Sequence, residues 1–338
     1  MAWEQLSALW PLAVALGVSL ALTPVVRAGA RRFGFVAKPR ADRYHSKPTA
    51  LMGGIAMFLG FAAAFAALWP SAHAQLLWAA GCGAAMFLLG LLDDLFTFRP
   101  LTKLLGQLAI AGVYTVVGAR LVYTFVPVVD ILITMVWLVG ITNALNLLDN
   151  LDGLAAGVCA IAAGFLSYFF LMAGQPLEAG VMAALMGAAL GFLWYNFSPA
   201  SIFMGDSGSL FLGFVLAAVT LLNQTHRTRN LLATLAVPLL ILLVPILDTT
   251  LVTLARRAHG RAVSQGGTDH ISHRLVALGF SDRLTVGVIY AVAISSGVVA
   301  IFVRQLSMVM GIALVVLFLA GLLTGLLVLI RVRVYSAK

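Results

Sequence analysis

The chain has 338 residues, of which 62% are hydrophobic and only 10% charged, and its mean hydropathy is +1.04. In soluble domains about a quarter of the residues are charged, so the composition excludes a soluble globular protein. The net charge of +9 would suit nucleic acid in a soluble protein, but basic residues of a membrane chain usually mark cytoplasmic loops, and no nucleic-acid partner is expected. Both cysteines, Cys82 and Cys159, lie in apolar runs, which excludes a disulfide scaffold. The sequence therefore predicts an all-α, polytopic integral membrane protein.

Apolar runs predict eleven membrane-spanning helices. They cover residues 6–26, 52–69, 76–92, 104–118, 131–148, 154–172, 179–195, 207–222, 231–254, 284–302 and 308–330. The first run is followed by arginines and preceded by none, which is the reverse of a secretory signal peptide. We therefore expect it to remain as the first span, with the N-terminus outside and the C-terminus in the cytoplasm.

The charged residues support this orientation. When the spans alternate from an outside N-terminus, 17 of the 21 Lys and Arg residues fall on one side, which the positive-inside rule makes the cytoplasmic side. Most carboxylates fall on the same side: Asp93, Asp94, Asp149, Asp152, Asp206, Asp248 and Asp269. Because a carboxylate at membrane depth is costly unless it is paired, hydrated or bound to a cation, this clustering predicts a functional site at the cytoplasmic face.

Asp93 and Asp94 stand at the inner end of the third run, and Lys103 follows ten residues later. Neighbouring residues on a helix point about 100° apart, so the two carboxylates cannot serve one ion equally. We expect one to act as a base or to position a substrate, and the other to hold Lys103 or a metal-bound water. The alternative is a solvated helix end.

A second polar segment ends the fifth run. Asn143, Asn146 and Asp149 are spaced by three residues, which places them on one face of a helix. Amide and carboxylate oxygens suit Mg²⁺, which leaves its other positions to water and phosphate. Asp152 and Gly153 follow directly. The segment predicts a magnesium site.

The segment from Phe203 to Ser209 precedes the eighth run and contains Gly205, Asp206 and Gly208. Free amides at a helix N-terminus bind phosphate oxygens, and glycine permits close approach. Asp206 needs a cation between itself and a phosphate, so the segment predicts Mg²⁺ on a diphosphate. The alternative is an ordinary capped helix start.

The longest polar stretch, residues 255–284, is expected to be a cytoplasmic loop that forms part of the active site. His270, His273 and Arg274 are suited to binding phosphate and sugar oxygens. A zinc site is the competing interpretation, but its remaining ligands would have to come from elsewhere. Lys47 lies in an earlier loop and has two possible roles. It binds a lipid phosphate, or it is one of the basic residues that mark a cytoplasmic loop.

Together these segments indicate phosphoryl transfer between a cytosolic diphosphate and a membrane-embedded acceptor. Two other classes remain as alternatives. An intramembrane prenyltransferase also uses Asp-rich segments and Mg²⁺, but it does not need the Gly205 turn or the His270 segment. An ion-coupled transporter should carry its carboxylates near the bilayer midplane, often in two related halves, and the sequence shows no such repeat.

The ordered set of these segments resembles one family, the polyprenyl-phosphate N-acetylhexosamine-1-phosphate transferases. The residues that carry the resemblance are Lys47-Pro48-Thr49 with Gly53-Gly54, Asp93-Asp94, Asn143 to Gly153, Phe203 to Ser209, and His270-Ile-Ser-His273-Arg274. The resemblance implies one domain over residues 1–338 in the plasma (inner) membrane, with membrane lipid around it. It also implies a reaction in which UDP-HexNAc, with UDP-GlcNAc favoured, and undecaprenyl or a related polyprenyl phosphate give polyprenyl-diphospho-HexNAc and UMP. Mg²⁺ is the implied cofactor, with Mn²⁺ as a substitute, and a homodimer is allowed.

The last motif indicates the branch of the family. The peptidoglycan branch carries three successive histidines followed by an acidic residue, whereas this chain reads His270-Ile-Ser-His273-Arg274. The chain resembles instead the branch that starts O-antigen, teichoic acid and related envelope polysaccharides. Ser272 replaces the middle histidine of the His-x-His-His-Arg pattern usual in that branch, and this loop contacts the sugar in the family.

The resemblance also implies individual roles. Asn146 and Asp206 should hold Mg²⁺, and Asp152 and Phe203 should contact uracil. Asp93 should activate or orient the lipid phosphate, which Lys47 also binds. The remaining implied site residues are Asp94, Lys103 and Asp149 in catalysis and Asn143, His270, His273 and Arg274 in binding the nucleotide sugar.

Overall fold

The computed structural model describes residues 9–37, 48–121, 124, 126–222, 231–262, 267–332 and 334. Within them, almost all regular structure is helical. The helices are α1 (Trp10–Arg32), α2 (Gly54–Leu68), α3 (Ala74–Phe96), α4 (Pro100–Val117), α5 (Pro127–Leu148), α6 (Leu154–Met172), α7 (Pro176–Asn196), α8 (Gly205–Thr220), α9 (Leu231–Ile241), α10 (Leu243–Ala258), α11 (Ile271–Ala277), α12 (Asp282–Gln305) and α13 (Met308–Ile330). A 3₁₀ turn (Trp69–Ser71) extends α2, and the strands β1 (Val36–Ala37) and β2 (Thr49–Ala50) form one antiparallel pair.

The prediction of an all-α, polytopic membrane protein is confirmed. Among the described residues nine helices are long and apolar enough to cross a membrane: α1 to α7, with the 3₁₀ turn included in α2, and α12 and α13. The other two predicted runs differ. Run 207–222 forms the 16-residue helix α8, shorter than the roughly 20 residues that a full crossing needs. Run 231–254 is divided into α9 and α10 at Leu242.

Pro245 explains this division. It is the third residue of α10, and it has no N–H to donate to the carbonyl of Ile241, the last residue of α9. Its ring also clashes with that carbonyl in a continuous helix. The apolar pattern alone therefore predicted one helix where the backbone forms two.

The described residues form two compact units, one from residues 9–222 and the other from residues 231–334. In the first unit, α8 packs against α2, α3, α5 and α6. Every residue of α8 from Ser207 to Thr220 is buried. A helix that is apolar on all sides is stable only when it is enclosed, so α8 forms the core of this unit.

The strand pair brings two distant segments of the first unit together. Ala50 lies beside Ile202 in a parallel bridge, and the Phe203 amide donates to the Ala50 carbonyl at 2.8 Å. The Gly54 amide donates to the Met204 carbonyl at 2.9 Å. A Cβ on Gly54 would clash with the backbone nitrogen of Gly208, so only glycine permits this approach. The start of α8 is therefore held against the start of α2.

In the second unit, α12 packs against α9, α10, α11 and α13. The stretch predicted as a long loop is partly helical, because α10 continues to Ala258 and α11 forms within the stretch. Ser281 begins α12 as an N-cap, with its hydroxyl accepting the Leu284 amide at 3.3 Å.

Candidate active site

Three side chains of the first unit meet around the ammonium of Lys103. The Lys103 Nζ lies 2.6 Å from Asp206 Oδ2, 3.2 Å from Asp93 Oδ2 and 3.2 Å from Asn146 Oδ1. We call Asp93, Lys103, Asn146 and Asp206 the Lys103 cluster. Each residue comes from a different helix, namely α3, α4, α5 and α8. The fold therefore gathers side chains that the sequence places in three separate segments.

Further hydrogen bonds fix the orientation of these groups. Asp93 Oδ1 accepts the Phe98 amide at 2.6 Å, just beyond the end of α3. The Asn146 amide donates to Asp206 Oδ1 at 2.6 Å and to the Ser209 hydroxyl at 2.8 Å. The cluster is therefore rigidly held before any ligand arrives, as electrostatic catalysis requires.

The cluster carries one net negative charge when both carboxylates are ionised. Asp93 and Asp206 both lie beside the Lys103 ammonium, and their like charges would repel one another without a cation between them. The Asp93 side chain is only 8% exposed and that of Asp206 is 31% exposed. The site therefore attracts cations, and Asp206 is the carboxylate that a ligand reaches more readily.

Asp94 has a different task from Asp93. Its carboxylate accepts the backbone amides of Asp206 at 2.8 Å and Ser207 at 3.0 Å. A carboxylate near the first amides of a helix is favourable, so Asp94 caps α8 from a neighbouring helix. The expectation that free amides at this helix start bind phosphate is wrong for these two amides, because they already donate to Asp94.

Gly205 makes this cap possible, and Gly205→Ala should disrupt it. Gly205 has a φ of +72°, and a Cβ there would lie 2.5 Å from Asp94 Oδ2. We expect the substitution to displace the carboxylate and to lower the phosphoryl-transfer activity expected from the sequence about tenfold or more, with a lower melting temperature. The matched control is Gly81→Ala on α3, where a Cβ meets nothing within 4 Å. Equal activity of the two variants would contradict the role of the cap.

The sequence-predicted residues near α5 do not all reach the cluster. Asn143 is bonded to Gln107 of α4 instead, with its amide 2.6 Å from Gln107 Oε1. Asp149 lies just after the last residue of α5, at its C-cap. Of the three residues predicted to share one face, the structure places Asn146 in the cluster.

Asp152 and Phe203 hold the connection between α7 and α8. Asp152 Oδ2 accepts the Ala200 amide at 2.8 Å, and Phe203 is bonded through its backbone to the start of α2. Asn196, whose exposure is 1%, accepts the Gly153 amide at 3.0 Å and donates to the Ile202 carbonyl at 2.9 Å. The contact of Asp152 and Phe203 with uracil remains a prediction.

Sequence reasoning missed Gln107 and Asn196 and gave no role to the Ser209 hydroxyl. Gln107 is fully buried in a membrane-spanning helix, and a polar residue at such depth is itself a signal of a specific partner. Asn196 is the last residue of an apolar helix. Polar residues are common at helix ends, so the sequence around Asn196 did not indicate a specific partner.

In the second unit, the predicted His270 segment is enclosed by a carboxylate–histidine hydrogen bond and by one ion pair. His270 Nδ1 lies 2.7 Å from Asp248 Oδ2, and Arg256 binds Asp269 through two hydrogen bonds of 2.8 and 2.7 Å. The Arg274 guanidinium donates to backbone carbonyls, those of Asp269 and of residues at the end of α13. Arg274 is thus occupied by other partners than the phosphate and sugar expected for it. Lys47 lies outside the described residues.

The Lys103 cluster presents carboxylate and amide oxygens, the ligand types that could hold a magnesium ion. Mg²⁺ takes oxygen ligands, commonly one or two carboxylates, with water and substrate phosphates filling the rest. Oxygens of Asp93, Asn146 and Asp206 all lie within 3.2 Å of the Lys103 ammonium. The point at which they converge is therefore already occupied by a positive charge. The described residues contain no group of three or more His, Cys, Asp and Glu side chains that could hold a metal. A metal here would therefore rely on Asn146 and on substrate oxygens.

Fold and site define a polytopic membrane protein with a preorganised acidic site at the ends of its helices. The family model for glycosyl transferase family 4 matches residues 76–224, which include the whole Lys103 cluster. A "Probable undecaprenyl-phosphate N-acetylglucosaminyl 1-phosphate transferase" of Bacillus subtilis (strain 168) is 35% identical over 301 residues, covering 86% of this chain and 84% of the relative. The chain belongs to glycosyl transferase family 4.

Two further relatives indicate the branch. A "Decaprenyl-phosphate N-acetylglucosaminephosphotransferase" of Mycolicibacterium smegmatis is 35% identical over 339 residues, covering 88% of this chain and 84% of the relative. A "Phospho-N-acetylmuramoyl-pentapeptide-transferase" of Bacillus mycoides is 35% identical over 240 residues, but these cover only 62% of this chain and 73% of the relative. The resemblance to the N-acetylglucosamine branch is confirmed.

Proposed function

We propose that this protein transfers GlcNAc-1-phosphate from UDP-GlcNAc to undecaprenyl or a related polyprenyl phosphate, giving polyprenyl-diphospho-GlcNAc and UMP. This reaction is the first membrane step of a cell-envelope polysaccharide. The Lys103 cluster is the observation that carries the proposal, because a rigid acidic site that selects a cation suits a diphosphate bound through a metal. The names of the full-length relatives support it over the prenyltransferase and the transporter.

We propose Mg²⁺ as the cofactor, held by Asp206 and Asn146 with Asp93 beside them. The ion would neutralise charge on the diphosphate and on the departing UMP. Asn146 is oriented for this task by Ser209, and Asp206 by the Asp94 cap at the start of α8.

The protein groups then have separate tasks. Asp93 orients the lipid phosphate for attack on the β-phosphorus of the donor. Since that phosphate is already largely ionised at neutral pH, positioning contributes more than proton removal. Lys103 stabilises the negative charge that collects between the two phosphates. We further propose that His270 and His273 bind anionic oxygens of the donor, and that Lys47 binds the lipid phosphate.

The experiment is a transfer assay with the purified, detergent-solubilised protein, undecaprenyl phosphate and UDP-GlcNAc in Mg²⁺ buffer. We expect UMP release that depends on the lipid and stops with EDTA. UDP-GalNAc in a parallel reaction measures sugar preference. A protein that releases no UMP from any UDP-HexNAc would overturn the proposal.

We also propose that the active site faces the cytoplasm, and cysteine labelling tests this. Arg99→Cys, between α3 and α4, should react with an impermeant thiol reagent only from the cytoplasmic side. Pro176→Cys, at the start of α7, should react only from outside. Both positions are exposed, and the native Cys82 and Cys159 are buried, so the wild type provides a low background. Reversed labelling would contradict the orientation derived from the charges.

A further inference from the structure

Two buried pairs of hydrogen-bonded side chains flank the start of α11. Asp248 and Arg256, both on α10, bind His270 and Asp269 respectively. All four residues are at most 4% exposed. Buried charges are costly unless they are paired in good geometry, so this arrangement needs a reason beyond the folding of a seven-residue helix.

Asp248 fixes both the backbone and the ring of the histidine segment. Its Oδ1 accepts the Ile271 amide at 2.7 Å, and its Oδ2 lies 2.7 Å from His270 Nδ1. A carboxylate accepts hydrogen bonds and cannot donate them when ionised, so Nδ1 carries the proton. In the described part of the chain the other ring nitrogen, Nε2, makes no hydrogen bond.

The ion pair between Arg256 and Asp269 anchors the residue before His270 separately. Asp269 is held through its side chain by Arg256 and through its carbonyl by Arg274 Nε at 3.1 Å. The backbone just before His270 therefore does not depend on Asp248. This separation makes it possible to change the ring of His270 without releasing the turn.

We propose that Asp248 is a positioning residue that acts through His270. Its hydrogen bond to Nδ1 fixes the orientation of the ring, so that Nε2 is directed to the sugar-nucleotide donor. The proposal rests on the proposed function, in which His270 contacts that donor. It assigns a task to a carboxylate that lies 22 residues before the histidine.

The kinetic test compares Asp248→Asn, His270→Gln and the double variant. Asparagine keeps an oxygen for the Ile271 amide but removes the charge that faces Nδ1. We expect Asp248→Asn to raise KM for UDP-GlcNAc about tenfold, with kcat changed by less than about threefold. In the His270→Gln background the same substitution should add less than about twofold, because its effect passes through the missing ring.

Asp269→Asn is the matched control, since it removes a carboxylate equally buried in the same turn but paired with Arg256. We expect it to lower the melting temperature without the selective rise in KM. A full effect of Asp248→Asn in the His270→Gln background would mean that Asp248 supports folding alone, and would overturn the proposal.

A spectroscopic test is independent of turnover. In protein labelled with ¹⁵N-histidine, the His270 signal is identified by its loss in His270→Gln. We expect a proton on Nδ1 in the wild type and no proton on Nδ1 in Asp248→Asn, where the asparagine NH₂ faces that nitrogen and donates to it. An unchanged His270 signal would overturn the positioning role. A wild type that shows these signals but binds no UDP-sugar by calorimetry would contradict the proposed function instead, so the two failures are distinguishable.

Discussion

Asp206→Ala is expected to abolish turnover, lowering kcat by about a thousandfold or more, while expression and membrane insertion stay normal. Asp206 is the more exposed carboxylate of the Lys103 cluster and begins α8, so it does not fill the core. Asp206→Asn should weaken UDP-GlcNAc binding in Mg²⁺ buffer, because it removes a charged ligand from the proposed ion. Calorimetry and the transfer assay measure the two effects.

EDTA applied to the wild type should reproduce the loss of activity. Asp282→Ala is a useful control, because Asp282 also lies in the first turn of a helix, α12, in the other unit. We expect it to retain wild-type activity. Activity that survives both Asp206→Ala and EDTA would remove the metal from the mechanism.

Lys103→Met is expected to have the second-largest effect, a loss of about a hundredfold or more in kcat together with tighter metal binding in the absence of substrate. The oxygens of Asp93, Asn146 and Asp206 are occupied by the ammonium, so a metal must compete with it. Without the lysine the site carries two negative charges. Mn²⁺ affinity, measured by electron paramagnetic resonance, should rise about tenfold.

Arg99→Met is the matched control for charge, because Arg99 is an exposed cation at the N-cap of the same helix. It should leave Mn²⁺ affinity close to that of the wild type. An unchanged or weaker affinity in Lys103→Met would show that the metal binds elsewhere than at the Lys103 cluster.

The sequence predicted correctly that the side chains of Asp93 and Asp94 point in different directions, because helical geometry separates neighbouring side chains by about 100°. Their catalytic tasks stay predictions. The contact of Asp93 with Lys103 fits that prediction. The partner of Asp94 was not predictable, since it is the backbone of a helix 112 residues away. Only the packing of α3 against α8 brings them together.

The shared face of Asn143, Asn146 and Asp149 was predicted less well. Helical spacing holds only within a helix, and α5 ends at Leu148, before Asp149. Asn143 lies one turn before Asn146 and meets Gln107 of α4 there. Spacing predicts which side chains point the same way, whereas the neighbouring helices decide what each one meets.

In the second unit, the sequence indicated both His270 and Asp248 as polar groups at the cytoplasmic face, but not their pairing. A single aspartate within an apolar run gives no indication of its partner, and the pair forms only because α10 lies beside the turn before α11. The division of α9 from α10 was readable in principle, because Pro245 interrupts the apolar run.

The most direct measurement uses a donor with two labels, ³²P in the β-phosphate and ³H in the sugar of UDP-GlcNAc. After reaction with undecaprenyl phosphate, the lipid is extracted into organic solvent and both labels are counted. Transfer of GlcNAc-1-phosphate predicts equal molar amounts of ³²P and ³H in the lipid, with UMP released, and neither label in the lipid with Asp206→Ala. A lipid that carries ³H without ³²P, with UDP released, would show transfer of the sugar alone and contradict the proposed reaction.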